Sequence, residues 1–215
     1  MEIKILLCDD HRIFREGLKT LINAQKGMRV IGEAADGMEG VKKVAELRPD
    51  IVIMDVSMPG LNGIEATRKI AARGASRVIA LSMHSDRRFV SEALKAGASG
   101  YLLKDSAFNE LSSAIRAVYA GKTCLDPAVA ATVVKEYVMS SASVPAPSSF
   151  SMLSPREREV LQMIAEGVST KQMATRLKLS VKTIETHRKK IMEKLDISTI
   201  AGLTKYAVRE GLTSP

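Results

Sequence analysis

Ile51-Val52-Ile53-Met54-Asp55 is the stretch on which the fold turns. An unbroken apolar run, too short for a helix and rich in β-branched residues, stops on a single carboxylate. Such a run reads as a strand buried on both faces, as in a parallel sheet, because a half-exposed strand would alternate apolar with polar residues. The chain repeats the device. Ile3-Lys4-Ile5-Leu6-Leu7-Cys8 stops at Asp9-Asp10, Val78-Ile79-Ala80-Leu81 stops at Ser82, and Tyr101-Leu102-Leu103 stops at Lys104.

Between these runs lie stretches with helical periodicity. Strands are predicted near 3–8, 28–34, 50–54, 77–82 and 99–103, and helices near 12–25, 37–47, 63–73, 86–96 and 107–120. Regular alternation of this kind implies an α/β fold, a (βα)5 doubly wound parallel sheet covered by helices on both faces. In such folds ligands bind outside the carboxyl ends of the strands. Asp9, Asp10, Asp55, Ser82 and Lys104 all fall there. Two acids, a third acid, a hydroxyl and an amine gathered at one sheet edge suit a metal-assisted phosphoryl acceptor. Aspartate forms an acyl phosphate, Mg²⁺ takes one or two carboxylates, and an ammonium offsets charge on the phosphoryl oxygens. Asp55 stands alone on its strand and is the expected acceptor. Asp10 and Asp55 would hold Mg²⁺ directly, with Asp9 on a bound water. Each of these residues alone reads more simply as a solvated surface group, and Tyr101 alone as half-buried core; the set carries the argument. His11 is expected to cap or pack near the first helix.

A second compositional regime follows. Asp126-Pro127 opens a further helical stretch through Met139, with an N-cap residue and proline at the first helical position. Ser140 to Ser149 is uncharged and rich in Ser, Ala and Pro, and reads as a linker. Beyond it come four short helix signals in an all-α region: Ser154-Pro155-Arg156-Glu157 as a capping box, Ser169 to Gln172 as another, Ser180 before a helix to Leu195, and Ser198 before a last one.

The net charge of +8 is uneven. Residues 1–150 hold 20 Lys/Arg against 17 Asp/Glu, and residues 151–215 hold 12 against 7. A small basic domain implies a polyanion partner. In Val181-Lys182-Thr183-Ile184-Glu185-Thr186-His187-Arg188-Lys189-Lys190-Ile191, the residues Ile184, Ile191 and Leu195 take the inner face, which leaves Lys182, Glu185, Thr186, Lys189 and Lys190 on or beside the outer one. Lys and Arg meet phosphates, Glu accepts from cytosine, and Thr contacts the thymine methyl. A solvated charged helix face is the plainer alternative. Cys8 and Cys124 fit neither a disulfide framework nor a metal spacing. No apolar run is long enough for a membrane span and the first residues lack a signal-peptide layout, so a cytoplasmic protein with no membrane partner is expected. No phosphate-binding glycine motif of the nucleotide enzymes is present.

Residues 1–120 resemble the receiver domain of two-component response regulators. The likeness rests on Asp9-Asp10, Asp55 with Met58-Pro59-Gly60 and Gly63, Ser82, and Tyr101 three residues before Lys104. Residues 153–212 resemble the LuxR-type helix-turn-helix, from Leu153-Ser154-Pro155-Arg156-Glu157 through Gly167, Ser169, Lys171, Ser180, Thr183-Ile184, His187, Ile191 and Lys194-Leu195. Together the chain is similar to NarL/FixJ-type response regulators. The resemblance implies domains at 1–122 and 153–215, joined by an extra helix and flexible linker at 123–152. It implies strand order 2-1-3-4-5, phosphotransfer from a sensor histidine kinase to Asp55, and a Mg²⁺ shell of Asp9, Asp10, Asp55 and the Ser57 backbone. It also implies switch roles for Ser82, Lys104 and Tyr101, with Ser57 and His84 tuning the phosphate lifetime. Threonine is common in the family where Ser82 stands; both supply the hydroxyl. Glu185, Thr186 and Lys189 become base readers on double-stranded DNA. Lys182, Arg188 and Lys190 become phosphate or flanking contacts, with Thr183 counted in the same interface. A homodimer through the last helix, near Ser198–Arg209, completes the picture. The chain is thus expected to be a transcription regulator that catalyses only its own aspartyl phosphorylation and dephosphorylation. The competing readings are a phosphatase-like enzyme and a constitutive DNA-binding or interaction protein with a silent receiver.

Overall fold

The computed structural model describes residues 2–74, 76–131 and 152–213, and the chain divides into two compact units. The expected linker at 140–149, and the expected helix beyond residue 131, lie outside the described residues.

The first unit alternates strands β1 (Ile3–Cys8), β2 (Met28–Ala34), β3 (Ile51–Asp55), β4 (Arg77–Ser82) and β5 (Gly100–Leu103) with helices α1 (Arg12–Asn23), α2 (Gly37–Leu47), α3 (Gly63–Ala71), α4 (Arg87–Lys95) and α5 (Lys104–Tyr119). A short strand β6 (Cys124–Leu125) follows, and then a helix α6 described over 127–131. The sheet order is β2-β1-β3-β4-β5-β6 and every pairing is parallel. Strand β6 is an addition to the expected five. Its two residues pair with Gly100 and Tyr101, and a pair of residues has no periodicity for a sequence to display.

Alternate strand residues feed the two helical layers, as the pleat requires. Ile3, Ile5, Leu7, Ile51, Ile53, Ile79, Leu81 and Leu102 meet Leu18 and Ile22 of α1 and Leu111, Ile115 and Val118 of α5. Ala80 and Tyr101 point the other way, into a cluster with Ile64, Phe89, Val90 and Ala93. Helix α5 begins three residues earlier than expected, at Lys104 itself. The strand thus hands Lys104 straight to a helix, and the acids at the sheet edge hold its side chain. At Gly63, a Cβ would lie 1.8 Å from the Asp55 carbonyl oxygen. The loop from Asp55 into α3 closes only around a residue without a side chain.

The second unit has helices α7 (Pro155–Ala165), α8 (Thr170–Leu177), α9 (Val181–Leu195) and α10 (Ile200–Arg209). Both capping boxes form: Ser154 with Glu157, and Ser169 with Gln172. Ser180 caps α9 by accepting from the Thr183 N–H. The last cap differs from expectation. Thr199, not Ser198, accepts from the Gly202 N–H at 3.1 Å, so α10 starts at Ile200. Leu161, Ile184, Ile191, Leu203 and Ala207 form the core of this unit. Among the described residues no helix is long and apolar enough to cross a membrane.

Candidate functional site

Parallel strands all end on the same side, so β1, β3, β4 and β5 bring their terminal polar groups together. The Lys104 ammonium lies 2.7 Å from Asp55 Oδ2 and 2.8 Å from Asp9 Oδ2. Asp9, Asp55, Ser82 and Lys104 are all buried, and Asp10 is exposed at the mouth. Carboxylate oxygens of Asp9, Asp10 and Asp55 and the His11 ring nitrogen lie within 4.8 Å of one another. Two buried carboxylates and a third at the rim make an oxygen-rich set that suits a hard divalent cation. The acidic cluster of Asp9, Asp10 and Asp55 that the sequence leads one to expect is present, with His11 beside it.

Burial dominates the electrostatics. It pushes the Asp55 carboxyl up to about 6, with the Asp9 charge adding to the rise and Lys104 opposing it. Burial also works against the Lys104 charge, but the Asp55 and Asp9 carboxylates outweigh it and hold the ammonium above the ordinary lysine value. Opposite charges at this range in a dry pocket attract strongly, which is why the lysine stays folded inward.

Two of the expected switch residues, Ser82 and Tyr101, are tied together through one loop. The Ser82 hydroxyl accepts from the His84 N–H at 3.0 Å, and the Tyr101 hydroxyl donates to the His84 carbonyl at 2.7 Å. Tyr101 is fully buried rather than half-buried, and desolvation raises its phenol to about 12. The His84 ring stacks on Phe89 at 4.4 Å and 12°. Ser57 takes part through its N–H, which donates to Asp55 Oδ1 at 3.2 Å.

His11 sits near the first helix as expected, and its carbonyl accepts from the Arg15 N–H. It stands at the N-cap position of α1, but its side chain makes no cap bond. Its ring nitrogen instead lies 3.0 Å from Asp10 and 3.4 Å from Asp9. Its place directly after the acid pair was the available signal. Arg15 escaped sequence reading altogether. Its guanidinium donates to the Asp9 carbonyl at 2.5 Å and pairs with Glu33 at 3.1 Å, bracing the acid pair from β2. That brace depends on the Arg15 side chain of α1 reaching Glu33 on β2, a side-chain meeting that strand order alone does not specify.

On α9 the outward set is as the periodicity predicts. Lys182, Glu185, Thr186, Lys189 and Lys190 are exposed, and Ile184 and Ile191 are buried. Thr183 and Arg188 are partly covered. The Thr183 hydroxyl is 2.8 Å from that of Ser180, and the Thr186 hydroxyl donates back to the Lys182 carbonyl. Thr183 is thus engaged in the cap, while the lysines and Glu185 project. His187 is partly covered, and its Nδ1 is buried.

Comparison with known proteins agrees with both halves. The response regulator receiver domain matches residues 5–116, and the luxR family of bacterial regulatory proteins matches residues 151–207. The oxygen regulatory protein NreC of Staphylococcus epidermidis is 40% identical over 215 residues, 98% of this chain and 99% of that protein. A LuxR-family two-component response regulator from Aurantimonas is 43% identical, with TM-score 0.62, over 64% of this chain and 99% of its own. A structure of two RcsB dimers bound to two parallel DNAs is 27% identical, with TM-score 0.59, over 96% of this chain and 98% of that one. A buried acid–lysine site at the carboxyl edge of a parallel sheet, followed by a basic helical unit, and these matches together establish that the chain is a two-component response regulator of the NarL/FixJ type, with a receiver domain and a LuxR-type DNA-binding domain.

Proposed function

We propose that Asp55 accepts a phosphoryl group from a sensor histidine kinase and that this acylphosphate controls sequence-specific binding of double-stranded DNA by α9. The observation that carries the reading is the Lys104 ammonium, held between Asp55 and Asp9 at 2.7 and 2.8 Å at the edge of an acid cluster. In the transfer, an Asp55 carboxylate oxygen forms a bond to phosphorus. The phosphorus–nitrogen bond of the phosphohistidine breaks, and its electron pair stays on the imidazole. Lys104 neutralises one phosphoryl oxygen, and the Ser82 hydroxyl, which accepts from the His84 N–H, has its own proton to donate to another. Asp9, Asp10, Asp55 and the Ser57 carbonyl are the residues that would hold Mg²⁺. Bound there, Mg²⁺ supplies positive charge to the transferring oxygens. Tyr101 reports the change through its bond to the His84 carbonyl.

The phosphoryl group adds about −1.5 to −2 charge at a site already acidic. Such a step shifts a conformational equilibrium by its differential affinity for the two states. In the DNA-bound state Glu185, Thr186 and Lys189 read bases, and Lys182, Arg188 and Lys190 contact phosphates, with Thr183 supporting the helix start. The RcsB structure with dimers on DNA supports a homodimer as the binding species. On α10, Leu203 and Ala207 belong to the domain core while Ile200 is exposed, so Ile200 and the partly covered Val208 are left for a seam. The proposed boundaries are 1–122 for the receiver, 123–152 for the extra helix and linker, and 153–215 for the DNA-binding domain. A cytoplasmic transcription regulator, with no enzymatic role beyond its own phosphorylation cycle, is consistent with this arrangement.

The test is binding to a panel of random DNA duplexes, with and without Mg²⁺ and acetyl phosphate, beside Asp55→Ala. Tighter, sequence-selective binding only by the phosphorylated wild type is the expected result. Equal binding in every sample would remove phosphorylation as the control.

A further inference from the structure

The Lys104 ammonium has a third neighbour that its acid partners do not explain. Its Nζ lies 4.9 Å from the centre of the Phe14 ring on α1. That ring meets Phe108 of α5 edge to face, with centroids 5.5 Å apart and planes at 82°. Phe108 in turn lies over Gly17, where a Cβ would come within 3.3 Å of its ring. Phe14 is partly covered, and Phe108, which packs on it, is 46% exposed. Asp9 and Asp55 hold the ammonium from the sheet side, and an aromatic face lies against it from the helix side.

We infer that Phe14, steadied by Phe108, is a positioning residue that presents the Lys104 ammonium to the phosphoryl group through a cation–π contact. The inference rests on the reading of Asp55 as phosphoacceptor. When Asp55 takes the phosphoryl group, Lys104 exchanges a carboxylate oxygen for a phosphoryl oxygen, and the two geometries differ by the length of a new bond. A purely ionic hold would fix the ammonium to whichever oxygen is nearest. The broad negative face of a ring holds it within a plane and lets it slide between oxygens without passing into water. A ring quadrupole attracts an ammonium within about 6 Å, and the contact strengthens as the site is desolvated. Gly17 is the residue whose smallness admits Phe108 to steady that ring.

The measurement is the rate of phosphorylation by acetyl phosphate with saturating Mg²⁺, followed by intact mass on the full chain. The variants are Phe14→Leu, Phe14→Tyr, Phe108→Leu, and a fluorinated phenylalanine at position 14 that keeps the ring's shape but depletes its face. Phe14→Leu and the fluorinated ring are expected to slow phosphorylation by about 2- to 30-fold, the range that corresponds to a cation–π contact of this class. Phe14→Tyr is expected to stay within about twofold of wild type, because its ring face is kept. Phe108→Leu, an exposed position that leaves the core intact, is expected to slow the reaction less than Phe14→Leu. A fluorinated ring that reacts as fast as the native one would overturn the inference, since shape alone would then suffice. So would Phe14→Leu at the wild-type rate. Failure of the phosphoacceptor reading looks different: wild type and Asp55→Ala would both remain unmodified.

Discussion

At the scale of single residues, the site is governed by what burial does to charge. Asp55 is 2% exposed, and its carboxyl sits near pKa 6 where an ordinary aspartate lies at 3.8. The nucleophile is the ionised form, so phosphorylation by acetyl phosphate at low Mg²⁺ is expected to fall roughly tenfold per pH unit below about 6. A divalent cation beside Asp55 favours its charged form. Raising Mg²⁺ at pH 5 is therefore expected to restore the rate, and a pH profile that ignores Mg²⁺ would contradict the placement of the cation at Asp55. Lys104 was legible as a polar group at a strand end. Its 2.7 and 2.8 Å contacts with two acids were not, because a strand order that puts β1 beside β3 does not fix where the Lys104 side chain folds. Cys8 is the simple case: burial in the sheet raises its thiol far above the ordinary range, and it is a core residue rather than a reactive one.

At the scale of elements, caps set the boundaries, and one of them separates a sequence signal from its structural use. Ser198 and Thr199 are adjacent and both are good cap residues. Only Thr199 accepts from the Gly202 N–H. Thr199→Ala is expected to cost about 1 kcal/mol of stability and Ser198→Ala almost nothing, as thermal or urea unfolding would show. Glu157 ties α7 to α9: its carboxylate accepts from the Ser154 N–H and meets Lys194 at 2.7 Å. Burial opposes its charge, but the bonds from Lys194 and Ser154 prevail and hold its pKa below the usual 4.5. A carboxyl depressed in the folded state supports the fold above its unfolded pKa. That support is lost as pH falls through the depressed value. Glu157→Gln is therefore expected to lower the stability of this domain at pH 7 and to flatten its loss of stability below pH 4.5; unfolding curves from pH 7 to 3 check both. The strands and helices were legible because each carries its own period. Strand β6 and the early start of α5 were not, since one is held by pairing with β5 and the other by Lys104 turning into the pocket.

At the scale of the whole molecule, two units with different chemistry share one chain. The acid cluster of the first is a source of repulsion that a cation relieves, so Mg²⁺ is expected to raise the unfolding temperature of the receiver. The gain follows mass action, about 1.4 kcal/mol at ten times the dissociation constant. Asp10→Asn is expected to lose most of the Mg²⁺ effect, which calorimetry can measure, while DNA binding by the second unit in its absence stays unchanged. The sequence by itself determined the alternation of strand and helix, the separation of a receiver-like part from a basic helical part, the acids and lysine of the site, and the outward face of α9. Each of these is written in local order: a period, a cap, a charge at the end of an apolar run. The tertiary structure alone decided which of those charges meet. It placed Lys104 between Asp9 and Asp55, laid Phe14 over its ammonium, turned His11 toward the acids and braced Asp9 through Arg15 and Glu33. Those contacts join residues from different strands and helices, and their distances follow from sheet order and packing, which no local pattern encodes.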